Sequence, residues 1–120
     1  MEELSIEEKD LLLKDLCARL PYHPIVYVDE NLPRLKLGVA TRIWEYVAVD
    51  KPCKPYLRPM SSMTEEERAK YHSYCDNYYD IYFDTVASID WLNANHFDYR
   101  GLIERGLAIE VTEENNPYKE

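Results

Sequence analysis

A chain of 120 residues with a net charge of −9 at pH 7 excludes several classes at once. Its 46% hydrophobic and 31% charged residues are the balance of one folded domain with its own core, not of a disordered segment. The negative charge argues against nucleic-acid binding, which rests on Lys and Arg contacts to phosphates, and three glycines leave little room for a glycine-rich phosphate loop.

The charge is unevenly spread. Residues 25–62 carry six basic and four acidic side chains, whereas residues 64–98 carry two basic and eight acidic. The negative field therefore belongs to the second half, where a solvated helix face is the plain reading and an acidic contact patch the sharper one. Eleven tyrosines stand against two phenylalanines, a bias suited to half-buried positions where the ring packs and the hydroxyl reaches out. Cys17, Cys53 and Cys75 are odd in number, widely spaced and without a CxxC pair, as expected of reduced thiols in a cytoplasmic protein. Nothing resembles a signal peptide, and no stretch approaches the roughly 18 apolar residues of a membrane span.

In chain order, Ser5-x-x-Glu8 fits a capping box, and Leu12, Leu13, Leu16, Cys17 and Leu20 recur at helical spacing. A first helix is expected over Ile6–Leu20, closed by Pro21 and Pro24. Ile25–Asp29 (IVYVD) has strand composition; Arg34–Val39 alternates apolar with polar; Ile43–Val49 (IWEYVAV) reads as a third strand. Short connections between the three suggest an antiparallel meander. Pro52 and Pro55 interrupt it, since proline cannot donate to a ladder, leaving Tyr56–Arg58 as a short edge strand.

Thr64-x-x-Glu67 is a second capping box that starts a helix at Glu65, with Tyr71, Tyr74, Cys75 and Tyr78 on one face. Two readings stand for residues 65–95: two helices parted near Asp76–Asp80, the second about Tyr82–Asn95, or one bent helix. Asp98 caps a short helix, Tyr99–Arg105, that ends at Gly106. Leu107–Val111 reads as a last strand, and residues 113–120 as a flexible tail. The expected fold is a single α+β domain over residues 1–112. An N-terminal helix and a short antiparallel meander are covered by C-terminal helices, with Leu12, Leu16, Val26, Val28, Leu37, Trp44, Val47, Trp91, Leu92 and Ile103 largely buried.

Candidate chemistry is sparse. Arg58, Ser61 and Ser62 precede a helix N-terminus, a place for an anion, but Glu65, Glu66 and Glu67 in the first turn would repel one. His96, Asp98 and Arg100 gather base, acid and cation within five residues, suited to acid–base work in a pocket or simply to a tight corner. His72 and Cys75 share a helix face but lack the third ligand that zinc needs. No catalytic residue, metal or cofactor is therefore assigned. The candidate interface is the tyrosine stripe with its acidic neighbours: Tyr71, Tyr74, Tyr78, Asp76, Asp80 and Asp84. It is core if the sheet covers it and a contact surface if not.

Three blocks, EEKDLLLKDLCARLPY (Glu7–Tyr22), KPYLRPMSSMTEEE (Lys54–Glu67) and DWLNANHFDYRGLIERGLAIE (Asp90–Glu110), resemble a family of small uncharacterised proteins from phages and mobile elements of gut Bacteroidales. They cover somewhat under half of the chain, and the C-terminal tail departs from the endings expected of that family. The resemblance implies a small accessory protein inside a bacterial host cell and transfers no functional residue. The expected activity is binding, of a host or defence protein through the acidic, tyrosine-rich half. The alternative is a small-ligand or nucleotide binder using Arg58, Ser61, Ser62, His96, Asp98 and Arg100, with homo-oligomerisation open.

Overall fold

The computed structural model describes residues 4–49, 52–75 and 81–118; the side chains of residues 74–75 and 81–86 fall outside the description. Helix α1 (Ile6–Arg19) starts on the capping box. The Glu8 N–H donates to Ser5 Oγ at 3.1 Å, and the Ser5 N–H donates to Glu8 Oε1 at 3.0 Å. These bonds satisfy two of the donors that a helix start leaves without partners. A 3₁₀ turn at Leu20–Tyr22 and a left-handed His23 turn the chain into strand β1 (Ile25–Tyr27). β2 (Leu35–Lys36) returns antiparallel beside it.

The next segment differs from the strand expected at Ile43–Val49. It forms a single helical turn, α2 (Trp44–Val47). As a strand, Ile43 and Val47 would lie on one face, and Trp44 and Tyr46 on the other, so both faces would need cover. The helical turn sets Ile43 and Val47, four apart, on one buried side, beside α1. Trp44 is left 58% exposed, against its expected burial. Val28, Trp91 and Ile103 are only half-buried; the other six positions expected in the core are buried.

The proline-rich stretch becomes the central strand rather than an edge. β3 (Lys54–Pro59) pairs antiparallel with β1 and parallel with both β4 (Phe97–Asp98) and β5 (Ile109–Glu110). The sheet is thus mixed, with the path β2-β1-β3-β4 and β5 also on β3, not an antiparallel meander. Each neighbour meets β3 over two residues only, so Pro55 and Pro59 interrupt no long ladder. Leu12 and Leu16 of α1 pack with Val26, Leu37, Ile43, Val47, Leu57, Leu102 and Leu107 in one core.

Between β3 and β4 run α3 (Glu65–Cys75) and α4 (Ile81–Ala94). They pack against each other, with Tyr71 and Trp91 stacked at 6.2 Å, so this region is two helices and not one bent helix. After β4 the expected helix Tyr99–Arg105 is replaced by successive turns, with Gly101 and Gly106 at positive φ.

The C-terminal segment does not hang free. The Tyr118 hydroxyl lies between β1 and β3, accepting the Ile25 N–H at 2.9 Å and donating to the Tyr56 carbonyl at 2.9 Å. Ile25 and Tyr56 come next in register after the Val26–Pro55 pair. The tail tyrosine therefore bridges the ladder where β1 and β3 begin to part. Asn115 adds a bond from Arg34 at 3.1 Å.

Candidate functional site

The residues around β4 are organised by a cluster of three charged side chains, Asp15, Arg19 and Arg100. Two residues beyond the end of α4, His96, with a left-handed φ of 62° and its N–H donating to the Asn93 carbonyl, closes off the helix. Its carbonyl accepts the Arg58 N–H at 2.7 Å, which opens the β3–β4 pairing. Below β4, the Asp15 carboxylate accepts from Arg19 at 2.8 and 3.0 Å and from Arg100 at 2.8 Å. Arg19 is fully buried and also donates to the Phe97 carbonyl. The guanidinium groups of Arg19 and Arg100 lie 5.3 and 4.6 Å from the centroid of the Tyr99 ring. Arg100 is thus a tether joining the corner to α1.

His96 stacks flat on Tyr118, with centroids 3.7 Å apart and planes 7° from parallel. Its Nδ1 has no hydrogen-bond partner among the described residues. Burial, and then the positive charges of Arg19 and Arg58, hold its pKa down at about 4. A neutral ring packed on an aromatic is a structural arrangement, and Asp98 is not its partner. Asp98 instead accepts the N–H groups of Leu102 at 2.8 Å and Ile103 at 3.0 Å, fixing the turns that follow.

Arg58 faces the helix start as the sequence suggested, but an internal carboxylate holds it. Both terminal nitrogens donate to Glu67 at 2.7 Å, while Glu67 also completes the capping box with Thr64. The Arg58 guanidinium beside it lowers the Glu67 pKa to about 2. Behind this pair runs a column of rings: Arg58 lies 4.2 Å above Phe97, Phe97 stacks on Trp91 at 5.6 Å, and Trp91 on Tyr71. The column ties β3, β4, α4 and α3 together, and each aromatic pair contributes about 0.5–1.5 kcal/mol beyond its burial.

Beside the column lies an open groove of about 650 Å³, walled by Met60, Tyr71, Tyr99 and Ile103 and edged by Ser61, Asp98, Gly101, Glu104 and Glu110. Among the described residues no Lys or Arg lines it. Of the candidate residues, Ser61, Tyr71 and Asp98 meet at this groove; Arg58, Ser62, His96 and Arg100 are bonded or stacked outside its lining. The side chains of Tyr74 and Asp84, and residues Asp76, Tyr78 and Asp80 entirely, lie outside the described residues. Met60, Tyr99, Ile103, Glu104 and Glu110 were not identified from the sequence as site residues. Only the tyrosine excess hinted at one of them, because a parallel β3–β5 pairing is what brings Glu110 to the groove.

Burial pushes the Cys53 thiol up to about 12, so it packs as an apolar side chain, whereas Cys17 is exposed. Among the described residues there is no group of three or more His, Cys, Asp or Glu side chains able to hold a metal ion. Nor is any described helix long and apolar enough to cross a membrane. No protein-family model, curated protein or solved structure matches the chain.

Proposed function

We propose that the protein acts by binding another protein, and that the groove between the β3–α3 turn and the post-β4 turns receives a basic segment of that partner. The observation that carries this reading is the composition of the groove. Tyrosine, methionine and isoleucine side chains offer apolar contact, and Glu104 and Glu110 supply carboxylates with no basic side chain among the lining residues. A Lys or Arg side chain fits both halves, its methylenes on the rings and its charge at the carboxylates. Aromatic residues also dominate the binding energy of protein interfaces. The Bacteroidales phage-type resemblance supplies the setting, a small accessory protein acting on a factor of the bacterial host cell.

A nucleotide or other anionic ligand is the weaker reading. Arg58, the cation it would need, is bonded to Glu67, and the groove offers carboxylates instead.

The test compares capture of bacterial proteins by the wild-type chain and by Glu104→Lys/Glu110→Lys. Both positions are exposed, so the variant keeps the fold, as circular dichroism would verify. The reading expects a stoichiometric protein partner on the wild type that is lost on the variant. A partner held equally by both, or a bound small anion in place of a protein, overturns it.

A further inference from the structure

Away from the groove, α1 carries a second stripe. Ile6, Lys9, Asp10 and Leu13 line a shallow depression of about 200 Å³ together with Trp44 and Val47. Ile6 is 79% exposed and Trp44 58%. Two large apolar side chains left in water at one spot form a surface with much to gain from a cover. Among the described residues neither Lys9 nor Asp10 joins an ion pair.

The order of the stripe identifies the cover. Read along α1 at helical i, i+3, i+4, i+7 spacing, it runs apolar, positive, negative, apolar, and it is symmetric about the midpoint of Lys9 and Asp10. A two-fold axis through that midpoint lays α1 antiparallel on a copy of itself. Ile6 then meets the partner's Leu13, and Lys9 meets the partner's Asp10, with the mirrored contacts following by symmetry. We propose that this face is the contact between two copies of the chain, with Trp44 of each copy covering the seam. A single-sign or charge-free stripe would suit a foreign partner as well; this one is complementary to itself. The proposal does not depend on the groove reading.

Sedimentation equilibrium over about a hundredfold concentration range tests it. At about 0.15 M salt the Debye length is about 8 Å, so the overall −9 charge of each copy is largely screened beyond the contact. The mass is expected to rise from 14.3 kDa toward twice that value, with tryptophan emission becoming harder to quench as Trp44 is covered. Lys9→Asp and Asp10→Lys should each hold the chain at 14.3 kDa, because like charges then face each other across the axis. The combined Lys9→Asp/Asp10→Lys swap should restore the dimer. A wild type that stays monomeric, single reversals without effect, or a swap that fails to restore association while circular dichroism reports an intact fold overturns the proposal.

Discussion

Replacing Tyr118 with phenylalanine removes one oxygen and keeps the ring that stacks on His96. That oxygen accepts the Ile25 N–H and donates to the Tyr56 carbonyl, both at 2.9 Å, at the point where β1 and β3 separate. Without it, two backbone groups in a half-buried seam lose their partner, and a buried unsatisfied group costs about 1–3 kcal/mol. With water reaching one of the two, a single group stays unsatisfied, at about 2 kcal/mol, the middle of that range. For a domain of this size about 1 kcal/mol lowers the melting temperature by about 4 °C, so Tyr118→Phe should melt about 8 °C lower. Thermal unfolding followed by circular dichroism reads the shift. Hydrogen exchange at the Ile25 amide reads the cause, since its protection should fall more than that of Val28, which donates to Leu32. A Tyr118→Phe protein that melts within about 1 °C of the wild type would refute the idea that the C-terminal residues bridge the sheet.

Three further outcomes follow from the ionisable groups of this region. Asp15→Asn should destabilise the protein by about 3–5 kcal/mol in denaturant titrations, because it strips the anion from a fully buried Arg19 and from Arg100; Asp15→Leu/Arg19→Met should recover much of that loss. The folded pKa of His96 is depressed from 6.5 to about 4, so its contribution to stability is complete above pH 6.5 and is lost as pH falls toward 4. His96→Asn, chosen because asparagine tolerates the left-handed φ of 62°, should flatten the stability profile in that window only. Glu67 is depressed from 4.5 to about 2, so its contribution is present above pH 4.5 and lost toward pH 2; Glu67→Gln should make the slope there shallower and leave the higher window unchanged.

The elements legible in the sequence are those fixed by local chemistry. Ser5 with Glu8, and Thr64 with Glu67, each announce a helix start through bonds three residues apart, and both sets of bonds form. IVYVD (Ile25–Asp29), rich in β-branched residues with an aromatic, yields β1 over its first three residues, Ile25–Tyr27. IWEYV misleads because its composition favours a strand, whereas a strand would need cover on both faces and the helical turn needs it only on the side of Ile43 and Val47. The centrality of β3 could not be read locally: Pro55 and Pro59 argue against it, and its parallel partners β4 and β5 lie far along the chain, Phe97 pairing with Arg58 and Ile109 with Tyr56. The same holds for the candidate site. Arg58, His96, Asp98 and Arg100 were identified as chemistry-bearing residues, but their partners Glu67, Tyr118 and Asp15 are tertiary neighbours. Asp98 alone serves neighbouring residues in sequence, and its capping role was legible, although it caps turns and not a helix.

The groove is tested most directly by a photo-crosslinking residue placed at Glu104, with a control at the 73% exposed Val39, in protein expressed inside bacterial cells. The account predicts a discrete adduct with a second protein from position 104, none from position 39, and loss of the adduct when Glu110 is replaced by lysine. Adducts of equal yield from both positions, or an adduct at 104 that is indifferent to the charge at 110, would contradict it.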